Sequence, residues 1–357
     1  MKHDKTPKSI TLWDVAKAAG VSRTTVSNAF NRPDQLSEEL RDRVLRVAKE
    51  MGYPGPNPMA RMLRTGRTGV IGLVFSESLQ YAFNDPVAIA FLQGVSRVCE
   101  QAKASLLLMP THLNDAAPTA IQQAAVDGFI IYSMPDNSEA VAQVLERKLP
   151  VVAVDQPSLK GVPSVYIDDR LAAHKAAAHL ISLNHKQLAI IAMDFLSDSY
   201  VGPVDIQRLE HATFQIPLQR LKGYKDAIRE ASLDPSKIAI VECPPRNHED
   251  EGFEVALSLL QQHPRPTGIL AMCDVLAISA IRAAAHLNLA VPQDLSIVGF
   301  DDIPIASQIK PSLTTIQQPL IEKGVSAASI LLGNPSRKTS KVLETKLMVR
   351  ESSGPAF

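Results

Sequence analysis

Residues 11–27 read TLWDVAKAAGVSRTTVS and predict two short helices joined by a sharp turn. Thr11 suits the N-cap of the first helix, and Asp14, three residues later, can return a hydrogen bond to it. Apolar residues then recur on one helical face, at Val15, Ala16 and Ala19. Gly20 follows where a left-handed residue lets the chain turn, and Ser22 can cap the next helix.

The second helix should run from Arg23 to Phe30, with an apolar side and a polar side. Its apolar side carries Val26, Ala29 and Phe30, and its polar side carries Arg23, Thr24, Ser27 and Asn28. A third helix should start at Ser37 and run to about Met51, where Gly52 ends it. This arrangement fits a helix-turn-helix, whose second helix enters the major groove of DNA, but also fits a three-helix bundle with no DNA role.

The distribution of charge favours the DNA-binding interpretation. The 357-residue chain has a net charge of zero, yet residues 1–67 carry a net charge of +6 and the remaining residues a net charge of −6. A basic head on an acidic body suggests that the head meets a polyanion.

A proline-rich segment follows the three helices. Residues 54–58 read PGPNP, which breaks the third helix and makes an extended linker. Residues 59–64, MARMLR, then favour a brief helix that is too short to be stable alone in water. We therefore expect this stretch to fold only on docking.

These motifs resemble those of the LacI/GalR family of bacterial repressors. Residues 11–27 are similar to the family's DNA-binding headpiece, residues 57–63 are similar to its hinge helix, and the resemblance extends from about residue 9 to residue 353. It implies a sequence-specific DNA-binding transcriptional regulator, a repressor controlled by a small-molecule effector, and not an enzyme. It also implies a homodimer on a pseudo-palindromic double-stranded operator; whether the ligand is an inducer or a corepressor stays open.

The resemblance assigns DNA contacts to individual residues. Arg23 and Thr24 match the pair that reads base edges, and an arginine there can donate two hydrogen bonds to guanine. Asn28 stands where the family often has Arg or His. The candidates for phosphate contact are Ser22, Thr25 and Ser27. In the hinge, Ala60 and Leu63 match minor-groove positions, with Leu63 as the wedge between base pairs; the alternative for Leu63 is a core leucine, which its neighbours Arg61 and Arg64 argue against.

From Thr68 onward, short apolar runs alternate with amphipathic stretches. The predicted strands are Val70–Phe75, Leu106–Met109, Phe129–Tyr132, Val151–Val154, Val165–Ile167, Leu188–Ala192, Ile238–Val241, Gly268–Ala271 and Ser296–Gly299. Continuous apolar strands separated by helices predict parallel sheets covered on both faces. Nine strands are many for one sheet, so we expect a periplasmic-binding-protein-like α/β fold of two doubly wound parallel-sheet halves with a cleft between them.

The expected domain boundaries follow from these elements. The all-α headpiece should span residues 9–55, the linker and hinge helix residues 56–67, and the effector and dimerisation domain residues 68–357. Within that domain we expect an N-subdomain of about 68–168 plus 301–328, and a C-subdomain of about 169–300 plus 329–357.

Ligands of such sheets bind at the carboxyl ends of the strands, so polar residues just beyond those ends are candidates. They are Asp85, Asp155, Asp274 and Asp301. The resemblance matches Asp155, Arg220 and Asp301 to effector-contacting positions, and Cys273 stands where sugar-responsive members often have Asn. The alternatives are internal salt bridges and turn caps, and for Asp274 a cap of the helix that follows.

Carboxylates and an arginine around a cleft suit hydroxyl groups or a carboxylate on the ligand. Asn247 falls near the position where purine-responsive members carry a stacking aromatic. The sequence therefore favours a sugar or sugar derivative, with a nucleobase or nucleoside corepressor as the alternative. The segment 197–217 is longer than is usual in the family, and its effect on ligand choice stays open.

Other classes of protein find less support. The three cysteines form no CxxC pair, which fits a reduced cytosol without a zinc site. The N-terminus resembles no signal peptide, and the apolar runs are too short to span a membrane. We therefore expect a cytoplasmic protein, nucleoid-associated when bound to its operator, without metal or cofactor. A periplasmic solute-binding protein would need an export signal and would lack the headpiece, and an enzyme fused to such a headpiece would turn over a substrate, although no P-loop, HExxH or GxSxG motif is present.

Overall fold

Three helices begin at the caps that the sequence predicts. They are Leu12–Ala19, Arg23–Asn31 and Glu38–Glu50, with a short 3-10 turn at Pro33–Gln35. Thr11 and Asp14 form the reciprocal capping box, since the Thr11 backbone N–H donates to the Asp14 carboxylate at 2.9 Å. Gly20 lies in the left-handed region at φ 67°. The core of this unit consists of Val15, Ala16, Val26, Ala29, Val44, Ala48 and Tyr53.

The computed structural model describes residues 10–56, 66–111, 117–243, 249–333 and 339–356. These residues belong to two units, which divide after Thr68. The predicted hinge positions Asn57, Ala60 and Leu63, and also Asn247, lie outside the described residues.

The second unit contains two sheets. The first has the strand order β12-β5-β4-β3-β1-β2 and is parallel throughout. Its strands are β1 (Val70–Phe75), β2 (Ser105–Pro110), β3 (Gly128–Tyr132), β4 (Val151–Val154), β5 (Ser164–Ile167) and β12 (Lys341–Leu343). The predicted parallel sheet is thus confirmed for this half.

The second sheet has the order β13-β11-β10-β9-β6-β8-β7. Its strands are β6 (Leu188–Ala192), β7 (Gly202–Pro203), β8 (Ala239–Glu242), β9 (Gly268–Ala271), β10 (Ser296–Asp301), β11 (Thr314–Gln317) and β13 (Lys346–Met348). The five inner strands are parallel, and the two edge strands, β7 and β13, are antiparallel to their neighbours.

The sheets correct the predicted subdomain boundaries. Strand β11, expected in the N-subdomain, pairs with β10 of the second sheet. Strand β12, expected in the C-subdomain, pairs with β5 of the first sheet. The chain therefore crosses between the halves after β5, after β11 and after β12. The prediction failed because β11 and β12 are short and carry Thr, Gln and Lys, so neither reads as an apolar run.

Helices cover both sheets. In chain order they are Leu79–Asn84, Pro86–Ala102, Ala117–Gln123, Glu139–Glu146, Asp169–Ser182, Ile206–Glu210, Gln215–Glu230, Glu249–Leu260, Asp274–His286 and Leu320–Leu332. Within the described ranges, none of these helices is long and apolar enough to cross a membrane.

Two helices of the second unit approach each other closely. At Gly223, in the helix Gln215–Glu230, a Cβ atom would lie only 2.1 Å from the carbonyl oxygen of Arg170. Only glycine lets the two helix backbones approach this closely. The approach brings Arg220 on one helix to Asp169, the first residue of the other.

Candidate functional site

The polar face of the second helix, Arg23–Asn31, is available to a partner. Arg23 and Thr24 are exposed at the first turn of this helix. Ser22 caps the helix, because its Oγ accepts a hydrogen bond of 3.0 Å from the backbone N–H of Thr25. The cap fixes the first turn, so Arg23 and Thr24 project from a rigid N-terminus, the end that meets base edges in helix-turn-helix proteins.

The other residues of this helix that are predicted to contact DNA differ in the hydrogen bonds they already make within the protein. Thr25, Ser27 and Asn28 are half-buried. The Nδ2 atom of Asn28 donates to Oε1 of Gln35 at 3.1 Å, so part of its hydrogen-bonding capacity is already used. The Nδ2 atom of Asn31 donates to the backbone oxygen of Ser27 at 2.9 Å and to its Oγ at 3.5 Å, and the Ser27 O–H can still donate to another acceptor.

A cavity of about 180 Å³ lies between the two sheets, where the carboxyl ends of their parallel strands face each other. Its lining includes residues at or just beyond the ends of six strands, among them Phe75, Tyr132, Asp155, Asp194, Cys273 and Asp301. Gln318 and Lys323 line it from the crossing that follows β11. The cavity therefore lies at the carboxyl ends of the strands, where ligands of parallel α/β sheets bind.

A chain of polar contacts crosses the cavity from one half to the other. Lys323 donates to both carboxylate oxygens of Asp155, at 2.7 and 2.9 Å, and to Oε1 of Gln318 at 2.8 Å. Gln318 in turn donates to Oδ1 of Asp301 at 2.6 Å. Asp155 follows a strand of the first sheet and Asp301 ends a strand of the second, so the chain of contacts joins the two halves.

Arg220 completes this network from the second half. Its Nε donates to Asp169 at 2.8 Å, its Nη1 donates to the Met272 carbonyl, and Nη1 lies 3.8 Å from Oδ1 of Asp301. Its guanidinium also lies over the Phe300 ring, 3.6 Å from the centroid. Arg220 is only 4% exposed. A single positive charge is thus shared by two carboxylates in a desolvated setting.

Burial shifts the titration of these carboxyl groups. Desolvation raises the pKa of Asp301 to about 7, although Arg220 and the bond from Gln318 act in the opposite direction. Desolvation also raises the pKa of Asp169 against the opposing charge of Arg220, and burial raises the pKa of Asp85. Perturbed carboxyls around a cavity are typical of binding sites.

Three residues that line the cavity have positive backbone φ angles. Ser133, Asp155 and Asp301 all line the cavity and have positive φ, at 49°, 63° and 118°. Such conformations cost non-glycine residues on the order of 1–3 kcal/mol each and cluster at ligand sites.

Three of the predicted effector residues need comment. Asp274 does not line the cavity, because its buried carboxylate accepts hydrogen bonds from the Ile303 backbone at 2.8 Å and the Thr315 hydroxyl at 2.5 Å. These bonds tie the start of one helix to β11 and to the segment after β10, and the effector contact of Asp274 stays a prediction. Asp85 lines the cavity and also caps the helix Pro86–Ala102 by accepting from Ala88 at 2.8 Å. Cys273 lines the cavity as expected.

The structure adds aromatic residues that the sequence did not single out. Tyr81 and Tyr132 line the cavity, and the Tyr132 ring stacks on Phe91 with centroids 4.2 Å apart. Neither tyrosine hydroxyl makes a hydrogen bond to another described residue. The sequence also did not single out Gln318 or Lys323, which lies in the helix Leu320–Leu332, because nothing around either residue marks its side chain as buried.

The long segment 197–217 has its own polar core. Arg208 donates to the fully buried Glu242 and to Asp198, and its guanidinium lies 4.1 Å from the centroid of the Tyr200 ring. The end of the segment reaches the cavity: Phe214, Ile216 and Pro217 line it. Gln156 of the first half accepts from the backbone N–H groups of Gln215 and Ile216, at 2.6 and 3.0 Å.

Across the described ranges, no group of three or more His, Cys, Asp or Glu side chains is arranged to hold a metal ion. His174 and His179, both on the helix Asp169–Ser182, contact Glu230 and Ser353 respectively.

Family models match both parts of the chain. Residues 11–57 match the model described as bacterial regulatory proteins, lacI family. Residues 177–353 match that of a periplasmic binding protein-like domain.

Relatives extend the match over the whole length. An HTH-type transcriptional regulator of Mycobacterium tuberculosis is 40% identical over 351 residues, which cover 97% of each chain. A solved LacI-family regulator from Corynebacterium glutamicum has a TM-score of 0.70 at 32% identity and covers 99% of both chains. The solved complex of the regulator CelR with cellobiose has a TM-score of 0.67 at 27% identity, covering 96% of this chain and 99% of its own. The protein therefore belongs to the LacI family of bacterial regulatory proteins, and it is a DNA-binding transcriptional regulator with a periplasmic-binding-protein-like effector domain.

Proposed function

We propose that the protein is a homodimeric repressor whose affinity for operator DNA is set by a sugar or sugar derivative bound in the cavity. The observation that carries the proposal is the chain of contacts Asp155–Lys323–Gln318–Asp301, which crosses from the first half to the second inside the cavity. A ligand that enters must contact or replace members of this chain. Binding therefore acts on the relation between the two halves.

The lining suits a polyhydroxylated ligand. Carboxylate oxygens of Asp155 and Asp301 can accept hydrogen bonds from hydroxyl groups, and the guanidinium of Arg220 can donate to them. Rings at Phe91 and Tyr132 offer an apolar wall for the C–H face of a sugar. The volume of about 180 Å³ is below the range of about 300–1,000 Å³ common for drug-sized ligands, which favours a small sugar. The complex of CelR with cellobiose supports the same class.

The DNA-binding half acts through the headpiece. Arg23 and Thr24 read base edges, while Ser22, Thr25 and Ser27 contact phosphates; Asn28 has a lesser part, because Gln35 engages it. The hinge positions Ala60 and Leu63 remain a prediction from sequence. A dimer presents two headpieces to the two halves of a pseudo-palindromic operator.

Ligand control follows from two-state linkage. A bound ligand stabilises whichever arrangement of the two halves binds it better, and DNA selects between the same two arrangements. The direction of the change in DNA affinity distinguishes an inducer from a corepressor. The protein acts in the cytoplasm at the nucleoid, and no catalytic step is proposed.

A thermal-shift screen of sugars, sugar phosphates, polyols and nucleobases tests the effector class. A ligand at about 100 times its dissociation constant adds about 2.7 kcal/mol to the free energy of unfolding, which raises the Tm by several degrees. We expect a hit among the polyhydroxylated compounds, and Arg220→Lys should abolish it because lysine cannot reproduce the planar donor set. Stabilisation by nucleobases alone, or by nothing in the panel, would contradict the proposed effector class.

A further inference from the structure

The cavity contains more acidic than basic side chains. Among the described residues, its charged lining consists of the carboxyl residues Glu77, Asp85, Asp155, Asp194 and Asp301 and of the cations Lys323 and Arg220. An anionic ligand would have to find positive charge that this protein's own carboxylates have not already taken. The engagement of the two cations therefore decides which ligands the cavity accepts.

Lys323 has no donor left for a ligand. Its ammonium group has three N–H bonds, and these are matched by three acceptors: two oxygens of Asp155, at 2.7 and 2.9 Å, and Oε1 of Gln318 at 2.8 Å. The side chain of Lys323 is only 3% exposed, and that of its partner Asp155 9%. The positive charge of Lys323 is thus neutralised at contact distance in a desolvated setting.

Arg220 is neutralised in a different way. Asp169 accepts from its Nε at 2.8 Å, and Asp301 lies 3.8 Å from its Nη1. Two carboxyl groups therefore face one guanidinium. Arg220 still has N–H groups with no acceptor among the described residues, but its positive charge already faces the carboxyl groups of Asp169 and Asp301.

The cavity also contains neutral polar groups that suit the hydroxyl groups of a ligand. The hydroxyls of Tyr81 and Tyr132 make no hydrogen bond to another described residue, and each can both donate and accept. Carboxylates accept hydrogen bonds from hydroxyl groups, and the remaining Arg220 donors suit hydroxyl oxygens. All of these groups can pair with hydroxyls without any change in net charge.

From this charge arrangement we infer that the effector is an uncharged polyhydroxylated molecule, and that phosphorylated and carboxylated sugars are rejected. The inference rests on the proposed function and specifies its ligand. A phosphate group entering the cavity would meet cations that already face the protein's own carboxyl groups, so it would lose its hydration without gaining a counter-charge.

Matched pairs of ligands test the rejection directly. Each neutral sugar of a panel, such as glucose or ribose, is compared with its own phosphate by thermal shift on the full-length protein. We expect that a neutral member raises the Tm by several degrees and that its phosphate raises it by less than a tenth as much at equal concentration. If a phosphate stabilises the protein and its neutral partner does not, the proposed function stands and this inference fails. If no sugar of either kind stabilises it, the proposed function itself fails.

A gain-of-binding experiment tests the same inference without a known effector. Asp155→Asn leaves Lys323 without its carboxylate, so the variant should gain stabilisation by millimolar inorganic phosphate, a Tm rise of a few degrees that the wild type lacks. Asp169→Asn is the second variant: it relieves Arg220, which stays protonated, of one of its two carboxylates. The matched control is Asp85→Asn, which removes a lining carboxylate that pairs with neither cation and keeps a side chain able to cap its helix.

The phosphate experiment compares the wild type with three variants. General salt effects of phosphate act on all four proteins alike, so only the difference from the wild type counts. A gain in Asp155→Asn or Asp169→Asn but not in Asp85→Asn supports the inference. Wild-type stabilisation by phosphate equal to that of the variants, or no gain in either variant, overturns it.

Discussion

At the scale of single residues, the effector cavity depends on one arginine. Arg220 touches Asp169, the Met272 carbonyl, the Phe300 ring and, at 3.8 Å, Asp301. The sequence alone indicated Arg220, Asp155 and Asp301, because each stands in a recognisable motif or just beyond a strand. It could not indicate Lys323, Gln318 or Tyr132, whose importance depends on burial and on which residues the fold brings opposite them.

Removing this arginine should destabilise the fold. Arg220→Met leaves Asp169 and Asp301 buried without their cation, and breaking a buried pair in this way costs about 3–5 kcal/mol. The control is Arg170→Met, which breaks an ion pair with Asp226 in which the arginine side chain is 56% exposed; we expect a loss of about 1 kcal/mol or less there. Urea unfolding measures both, and equal losses would contradict the role given to Arg220.

Arg23 makes a prediction at the same scale for DNA recognition. Arg23→Ala should lose about 1–3 kcal/mol of discrimination at one base pair in each half-site, since alanine cannot form the two bonds to guanine. The experiment compares affinities for a DNA selected from a random pool and for its single-base variants. Arg46→Ala, which removes an equal charge from an exposed position on the third helix, should leave discrimination intact. A uniform loss on all sequences in Arg23→Ala would argue against base readout.

At the scale of elements, the apolar pattern predicted nine strands and missed three of the four edge strands, together with the inner strand β11. Strands such as β1, β4, β6 and β9 begin and end where their apolar runs do, because a strand buried on both faces has no polar positions. The missed strands β7, β12 and β13 have two or three residues each and lie at sheet edges, where one side faces solvent. Because β11 was not predicted as a strand, the subdomain boundary was predicted in the wrong place.

The C-terminal segment is attached to the second sheet through a buried histidine. The Nε2 of His185 lies 2.9 Å from the carbonyl oxygen of Gly354 and so donates to it, while Nδ1 lies 3.1 Å from the Thr267 hydroxyl. His185 is 2% exposed, and burial lowers its pKa below the ordinary value of 6.5. The neutral ring is therefore the form that holds the segment in place.

This lowered pKa predicts a pH dependence of stability. Between the folded pKa and 6.5 the unfolded state binds more protons, so the contribution of His185 is complete above pH 6.5 and is lost as the pH falls. The difference between the urea midpoints at pH 8 and pH 5.5 should therefore be smaller in His185→Gln than in the wild type. His211→Gln, at an exposed position, is the control and should keep the wild-type difference. An unchanged difference in His185→Gln would contradict this assignment.

The hinge makes a prediction from sequence at this scale. Leu63→Ala should reduce the bend of operator DNA, because alanine is too small to wedge between base pairs. Gel mobility of circularly permuted operator fragments measures the bend. A bend equal to that of the wild type would rule out the wedge.

At the scale of the whole molecule, one chain combines two separate units. The headpiece has its own core, and the effector domain has two sheets joined by three crossings of the chain. The cavity contacts run through the second crossing, where Gln318 and Lys323 join Asp301 to Asp155. A ligand that rearranges these contacts acts on the connection between the halves, which is where an effector can alter DNA affinity.

The most direct test of this account is the affinity of the full-length protein for its selected operator with and without the ligand found by thermal shift. Fluorescence anisotropy at fixed salt measures it, with a scrambled DNA of equal length for comparison. The account predicts that saturating ligand changes operator affinity by about 5- to 150-fold, the usual size of an allosteric coupling, and leaves the affinity for scrambled DNA nearly unchanged. An operator affinity that is the same with and without saturating ligand would show that the cavity does not regulate DNA binding.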